Sequence, residues 1–158
     1  MLNLSHTYLM TYSGNKLFNS NNLFAIIILL AGGALSFYKP DNFPFFIPLV
    51  VAFVSTACQA FYFEITMDKL IVKNYIIPLL NIRYNLNEIT QIQLLRPGGR
   101  SAAQARLKII HGGKSSFGFP AASLKINDWK LCVDDLCEKK ISVEVEPLIL
   151  QKALGIIQ

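Results

Sequence analysis

"FPFFIPLVVAFVSTACQAFYF", residues 43–63, runs for 21 residues without a charge. As a helix rising about 1.5 Å per residue it reaches about 31 Å, the depth of a bilayer's hydrocarbon core. As anything else it must end inside a folded domain, so its reading decides the architecture. A second uncharged run, residues 23–38, precedes it, and only Lys39 and Asp41 separate the two. Lys39, Pro40, Asp41 and Asn42 are turn formers, Pro44 suits a first helical turn, and Pro48 follows one turn later. The shorter run spans about 24 Å and crosses only by drawing in residues 17–22 or by thinning the bilayer. Aromatic anchors stand near the ends of the runs at Phe18, Tyr38, Phe43, Phe45, Phe46, Phe61, Tyr62 and Phe63. Gly32 with Ser36, and Ala52 with Thr56, are spaced to let two helices approach closely. The pattern predicts a two-helix transmembrane hairpin.

Composition supports a divided chain. Hydrophobic residues make up 53% and charged residues 16% of the 158, against about 25% charged in an ordinary soluble domain. Lys16 lies before the hairpin and Lys69 and Lys73 lie soon after it, which favours cytoplasmic termini. The expected organisation is a polar arm at 1–22, a hairpin at 23–63 with helices at 23–38 and 43–63, and a water-compatible domain at 64–158. The expected location is the plasma (inner) membrane, multi-pass. Cys58, Cys132 and Cys137 form neither an even set nor a CxxC pair, which argues against a disulfide framework and a zinc site.

Beyond residue 62 the pattern alternates. "YFEIT" (62–66) and "KLIVKNYII" (69–77), joined at Met67 and Asp68, predict two antiparallel strands ended by Pro78. "IRYNLNEITQIQL" (82–94) sets Ile82, Tyr84 and Leu86 on one face, with a bend near Asn87 and Glu88. "RPGGRSAAQ" (96–104) is a loop by composition, and "ARLKIIHGGKSSFGFP" (105–120) is a hairpin with Gly112 and Gly113 at its tip. "INDWKLCVDDLCEKK" (126–140) predicts a helix capped by Asn127. Its apolar stripe is Trp129, Cys132, Val133 and Leu136, and Trp129 is expected to plug the open end of a sheet. "ISVEVEP" is a short strand and "LILQKALGII" an apolar, helical tail.

The segments "FYFEITMDKLIVKNYIIP", "YNLNEITQIQL" and "NDWKLCVDDLCEKK" resemble the bacterial pleckstrin-homology-like domains that follow membrane hairpins. The resemblance covers about residues 62–141 and the preceding hairpin. It implies an α+β fold: the hairpin, then a small PH-like β-roll or barrel capped by a helix. It also implies a module that binds instead of catalysing, docking a protein partner or an anionic lipid surface. The expected basic site is Arg96, Arg100, Arg106, Lys108 and Lys114, grouped around two glycine-containing loops, where lipid head groups or phosphate would bind. A solvated surface explains the same five residues.

Motifs for chemistry are sparse. Gly113, Lys114 and Ser115 imitate the end of a P-loop, but the glycine required five positions earlier is Lys108. The two histidines are His6 and His111, with no HExxH or GxSxG spacing, so no metal and no cofactor is expected. The acidic pairs Asp134/Asp135 and Glu144/Glu146 suit solvated faces. Nucleic acid is not an expected partner, because the basic loops lack interleaved aromatics. Two alternatives stay open. One is an accessory subunit of a membrane transport or secretion complex, contacting it through Gln59 and the small-residue faces. The other is a membrane-bound enzyme using Asp134, Asp135 or His111.

Overall fold

Alternating side chains along residues 61–74 build the first sheet of this computed structural model, which describes residues 9–14, 27, 30–33, 46–96, 105–146 and 148–156. Strands β1 (Met10–Tyr12), β2 (Phe61–Ile65), β3 (Lys69–Asn74) and β4 (Ile82–Asn85) form it in that order, antiparallel throughout. Phe61, Phe63 and Ile65 of β2 and Leu70 and Val72 of β3 point inward and are buried, while Tyr62, Ile71 and Lys73 line the other face. The 3-10 turns Pro78–Leu80 and Leu86–Glu88 flank β4, the second falling where the sequence pattern changes phase.

The second sheet comprises β5 (Ile89–Leu95), β6 (Arg106–His111), β7 (Lys114–Ser115), β8 (Phe119–Pro120) and β9 (Val143–Glu146). Its path runs β7-β6-β5-β9, with β8 also paired to β6. The β5–β6 register shifts between Ile89 and Gln91, and Gly112 and Gly113 take positive φ at the β6–β7 tip, as a two-residue hairpin turn requires. An isolated bridge between Ala60 and Ala121 joins the two sheets.

The core lies between the sheets. Phe63, Ile65, Leu70 and Val72 meet Ile92, Leu94, Leu107 and Ile109, and helix α2 (Ile126–Glu138) closes the space with Trp129, Cys132, Val133 and Leu136. Each such side chain contributes roughly 1.5–3 kcal/mol by leaving water. Trp129 packs on Phe63 with ring centroids 5.6 Å apart, which is the plugging role expected of it. The cap is displaced from expectation: α2 begins at Ile126, and the Asp128 carboxylate accepts the Lys125 N–H at 2.9 Å, so Asn127 is already inside the helix. After α2, β9 returns parallel to β5, and helix α3 (Leu148–Leu154) packs over it with Leu150 and Leu154 buried. Gln151 Nε2 donates to the Val145 carbonyl at 2.6 Å and so covers part of the β9 edge.

The transmembrane hairpin does not survive. Among the described residues no helix is long and apolar enough to cross a membrane. Helix α1 (Phe46–Ala57) has 12 residues and spans about 18 Å, against the roughly 30 Å needed. The rest of the uncharged run serves the sheet: Ala60, Phe61 and Phe63 are buried and β2 pairs with β3. Tightened turns from Gln59 N–H to Thr56 and from Ala60 N–H to Ala57 end the helix. The shorter run shows helical residues at 27 and 30–33; its remainder, the Lys39–Asp41 turn and the Ser36 half of one small-residue pair lie outside the described residues. The other small-residue pair is internally engaged, since Thr56 Oγ1 donates to the Ala52 carbonyl at 2.8 Å. The multi-pass plasma-membrane placement, with its cytoplasmic termini, therefore loses the spans on which it was built. Sequence reading also missed β1, because Met10–Tyr12 sits within the expected polar arm yet pairs in register with Phe63–Ile65.

Candidate docking surface

Strand reversal decides which side chains meet. The starts of β2, β4 and β6 and the ends of β3 and β5 share one end of the roll, and α1 enters β2 there. Contacts of Asn74, Tyr75 and Gly14 tie that pole together. Asn74, 4% exposed, donates from Nδ2 to the Ala57 carbonyl at 2.6 Å, and its Oδ1 accepts the Ile76 and Ile77 N–H groups, each at 2.9 Å. The Tyr75 hydroxyl donates to the Ser13 carbonyl, and its ring stacks on Tyr62 with centroids 4.3 Å apart. Burial raises the Tyr75 pKa above its usual value, so the phenol stays protonated as a donor. Gly14, at φ +53°, approaches Ser123 so closely that a β-carbon would stand 1.9 Å from its carbonyl oxygen.

Outward from this frame the pole is apolar. Leu79 is 93% exposed, and Leu80 and Ile82 beside it are also exposed. Val50, Val51, Phe53 and Val54 of α1 are exposed, with Ala57 buried where the helix meets the sheet. Phe117, 64% exposed, lies edge-on to Phe119, which in turn packs on Phe61. No acidic residue occurs between Asp68 and Glu88 or within α1. The Lys73 ammonium is held by the Glu64 carboxylate at 2.6 Å on the outer face of the first sheet.

Arg96, Arg106, Lys108 and Lys114, the described members of the basic set, do not form one cluster. Arg96 ends β5 and Arg106 begins β6, both at the α1 pole, where the stem of Arg106 lies over Gly118. Lys108 stands two residues further along β6, across from Gln93, which with Gln91 donates to the Glu144 carboxylate at 2.8 and 3.1 Å. Lys114 begins β7 at the opposite pole. Arg100 lies outside the described residues. Two cations absent from the expected set, Arg83 on β4 and Lys125 before α2, also stand at or near the α1 pole and are exposed. Strand direction is the signal that would have found them.

The residues considered for catalysis are dispersed. The Asp135 carboxylate accepts the Tyr12 hydroxyl and thereby ties β1 to α2; partial burial, aided by Glu138, raises its pKa above the usual carboxylate value. Asp134 is exposed on the same helix. His111 packs edge-on to Tyr84 at 5.0 Å, and Glu146 lies exposed at the end of β9. Burial pushes the Cys132 thiol up to about 12, which leaves it inert. Among the described residues no group of three potential ligands could hold a metal ion. A surface cavity of about 530 Å³ at the pole opposite α1 is lined by Met67, Asp68, Asn85, Leu86, Asn87 and Lys139. One carboxylate and one ammonium there make no convergent reactive set.

Comparison of the chain with protein-family models, with curated proteins and with solved structures gave no match.

Proposed function

We propose that this chain is a non-catalytic docking module built on a pleckstrin-homology-like roll, and that its α1 pole rests on an anionic lipid surface. The observation that carries the reading is the gathering, at one pole, of exposed apolar side chains from α1 and residues 79–82, with Phe117 nearby. An exposed apolar concentration of this kind marks an interaction site. Arg83, Arg96, Arg106 and Lys125 around it outnumber Asp128 and Glu146. Each such cation near an anionic leaflet adds about 1 kcal/mol, which favours a lipid surface over a neutral protein groove. The two sheets closed by α2 support the roll; β1 ahead of α1 and β9 after α2 are additions to the pattern that the resemblance implies. Contact through α1 is peripheral, since no helix among the described residues is long and apolar enough to span.

Flotation of the 158-residue chain with vesicles tests this. Recovery is expected with phosphatidylserine-containing vesicles, weaker with phosphatidylcholine alone, and the difference should shrink as salt rises. Failure to float with either would end the proposal. Equal recovery with both would remove the role of the cations.

A further inference from the structure

We propose that residues 76–82, "IIPLLNI", form a preformed wedge whose tip, Leu79, enters the upper acyl-chain layer of the lipid surface. This rests on the docking reading above and names the part of the pole that penetrates. Three independent features single out the loop from the rest of the pole.

The first is its shape. Leu79 protrudes 93% exposed from a 3-10 turn at Pro78–Leu80. A single large apolar side chain on a tight turn is a poor surface feature in water and a suitable insertion point at an interface.

The second is the state of its backbone. A segment that leaves water must bring its polar groups already paired, because an unpaired N–H in hydrocarbon has no water to turn to. The Ile76 and Ile77 N–H groups are accepted by Asn74 Oδ1, each at 2.9 Å, and the Leu80 N–H reaches the Ile77 carbonyl at 2.9 Å. Pro78 has no N–H to satisfy. At these three positions the backbone donors are already satisfied by the protein, unlike those of an ordinary solvated turn.

The third is the order of chemistry behind the tip. Leu79 and Leu80, in the turn beyond the end of β3, are followed by the stacked Tyr62–Tyr75 pair and then by Arg83, which pairs with Ile71 two registers behind Tyr62. Apolar, aromatic, cationic is the sequence of layers met on leaving a bilayer for the head groups. A protein groove would require the apolar tip but gives no reason for the layering.

The experiment places a reporter at the tip. Leu79→Trp in the 158-residue chain is mixed with phosphatidylserine/phosphatidylcholine vesicles, with and without bromine on the acyl chains. Trp129 is buried and supplies a constant background, measured in the parent chain. The introduced indole is expected to shift blue on vesicle addition and to be quenched by acyl-chain bromine. Leu79→Glu is expected to reduce vesicle partition by about tenfold while its melting curve matches the parent's, since the side chain makes no core contact. Flotation of the Leu79→Trp chain without blue shift or quenching overturns the wedge and leaves peripheral docking in place. Undiminished flotation of Leu79→Glu does the same. Absence of flotation for the parent chain overturns both.

Discussion

Helices α1 and α2 are nearly the same length and opposite in character. Helix α2 carries one apolar stripe, and the fold consumes all of it: Trp129, Cys132, Val133 and Leu136 are buried between the sheets. Helix α1, "FIPLVVAFVSTA", carries no charge on any face, and Val50, Val51, Phe53 and Val54 remain in solvent. An amphipathic helix finds its partner inside its own domain. Helix α1 is uniformly apolar instead, and among the described residues nothing buries these four side chains.

The contrast breaks most easily at Trp129. Trp129→Ala should lower stability by about 3–5 kcal/mol through the cavity it leaves, read by urea unfolding, while Phe53→Ala on α1 should change stability by no more than about 0.5 kcal/mol. Equal effects would mean that α1 is as integral to the fold as α2. The link between the two regions is Asn74. Asn74→Ala strands the Ile76 and Ile77 N–H groups and removes one of the two donors to the Ala57 carbonyl, and should cost about 1–3 kcal/mol. Hydrogen exchange should report the loss at residues 76 and 77 first.

The smallest expected effect concerns pH. The folded-state pKa of Asp135 is raised above 3.8, chiefly by burial, so the folded chain holds this proton more tightly than the unfolded one. Its contribution is complete below 3.8 and is lost as pH rises through the higher folded value. Asp135→Asn should therefore gain on the parent in melting temperature as pH rises across that window, and nowhere else. A constant difference across the pH range would locate the effect in the Tyr12 hydrogen bond instead.

Much of the roll was legible in the sequence. Alternation marked β2, β3 and β6, the Gly112–Gly113 tip set the β6–β7 turn, and the 3.6-residue stripe placed α2 with Trp129 inward. The apolar front misled because a buried strand and a membrane helix are both written in uncharged residues. From Ala60 onward the run belongs to a strand with one face in the core and the other against Tyr75 and Lys73. Hydropathy over a window cannot distinguish that from lipid, whereas the Gln59 interruption and the Glu64 that follows mark the change. Three residues of β1 give no periodic signal at all. Arg106 and Lys114 part company because spacing along the chain says nothing of strand direction, which sends them to opposite poles.

β1 has a consequence for how the first sheet assembles. Three residues separate β2 from β3, but 48 lie between Tyr12 and Phe61. Closing the longer loop costs about 2.5 kcal/mol more in chain entropy, for only three paired positions in return. The β2–β3 hairpin is thus the template and β1 the latecomer. A chain cleaved anywhere in the intervening 48 residues would hold its first strand by non-covalent pairing alone.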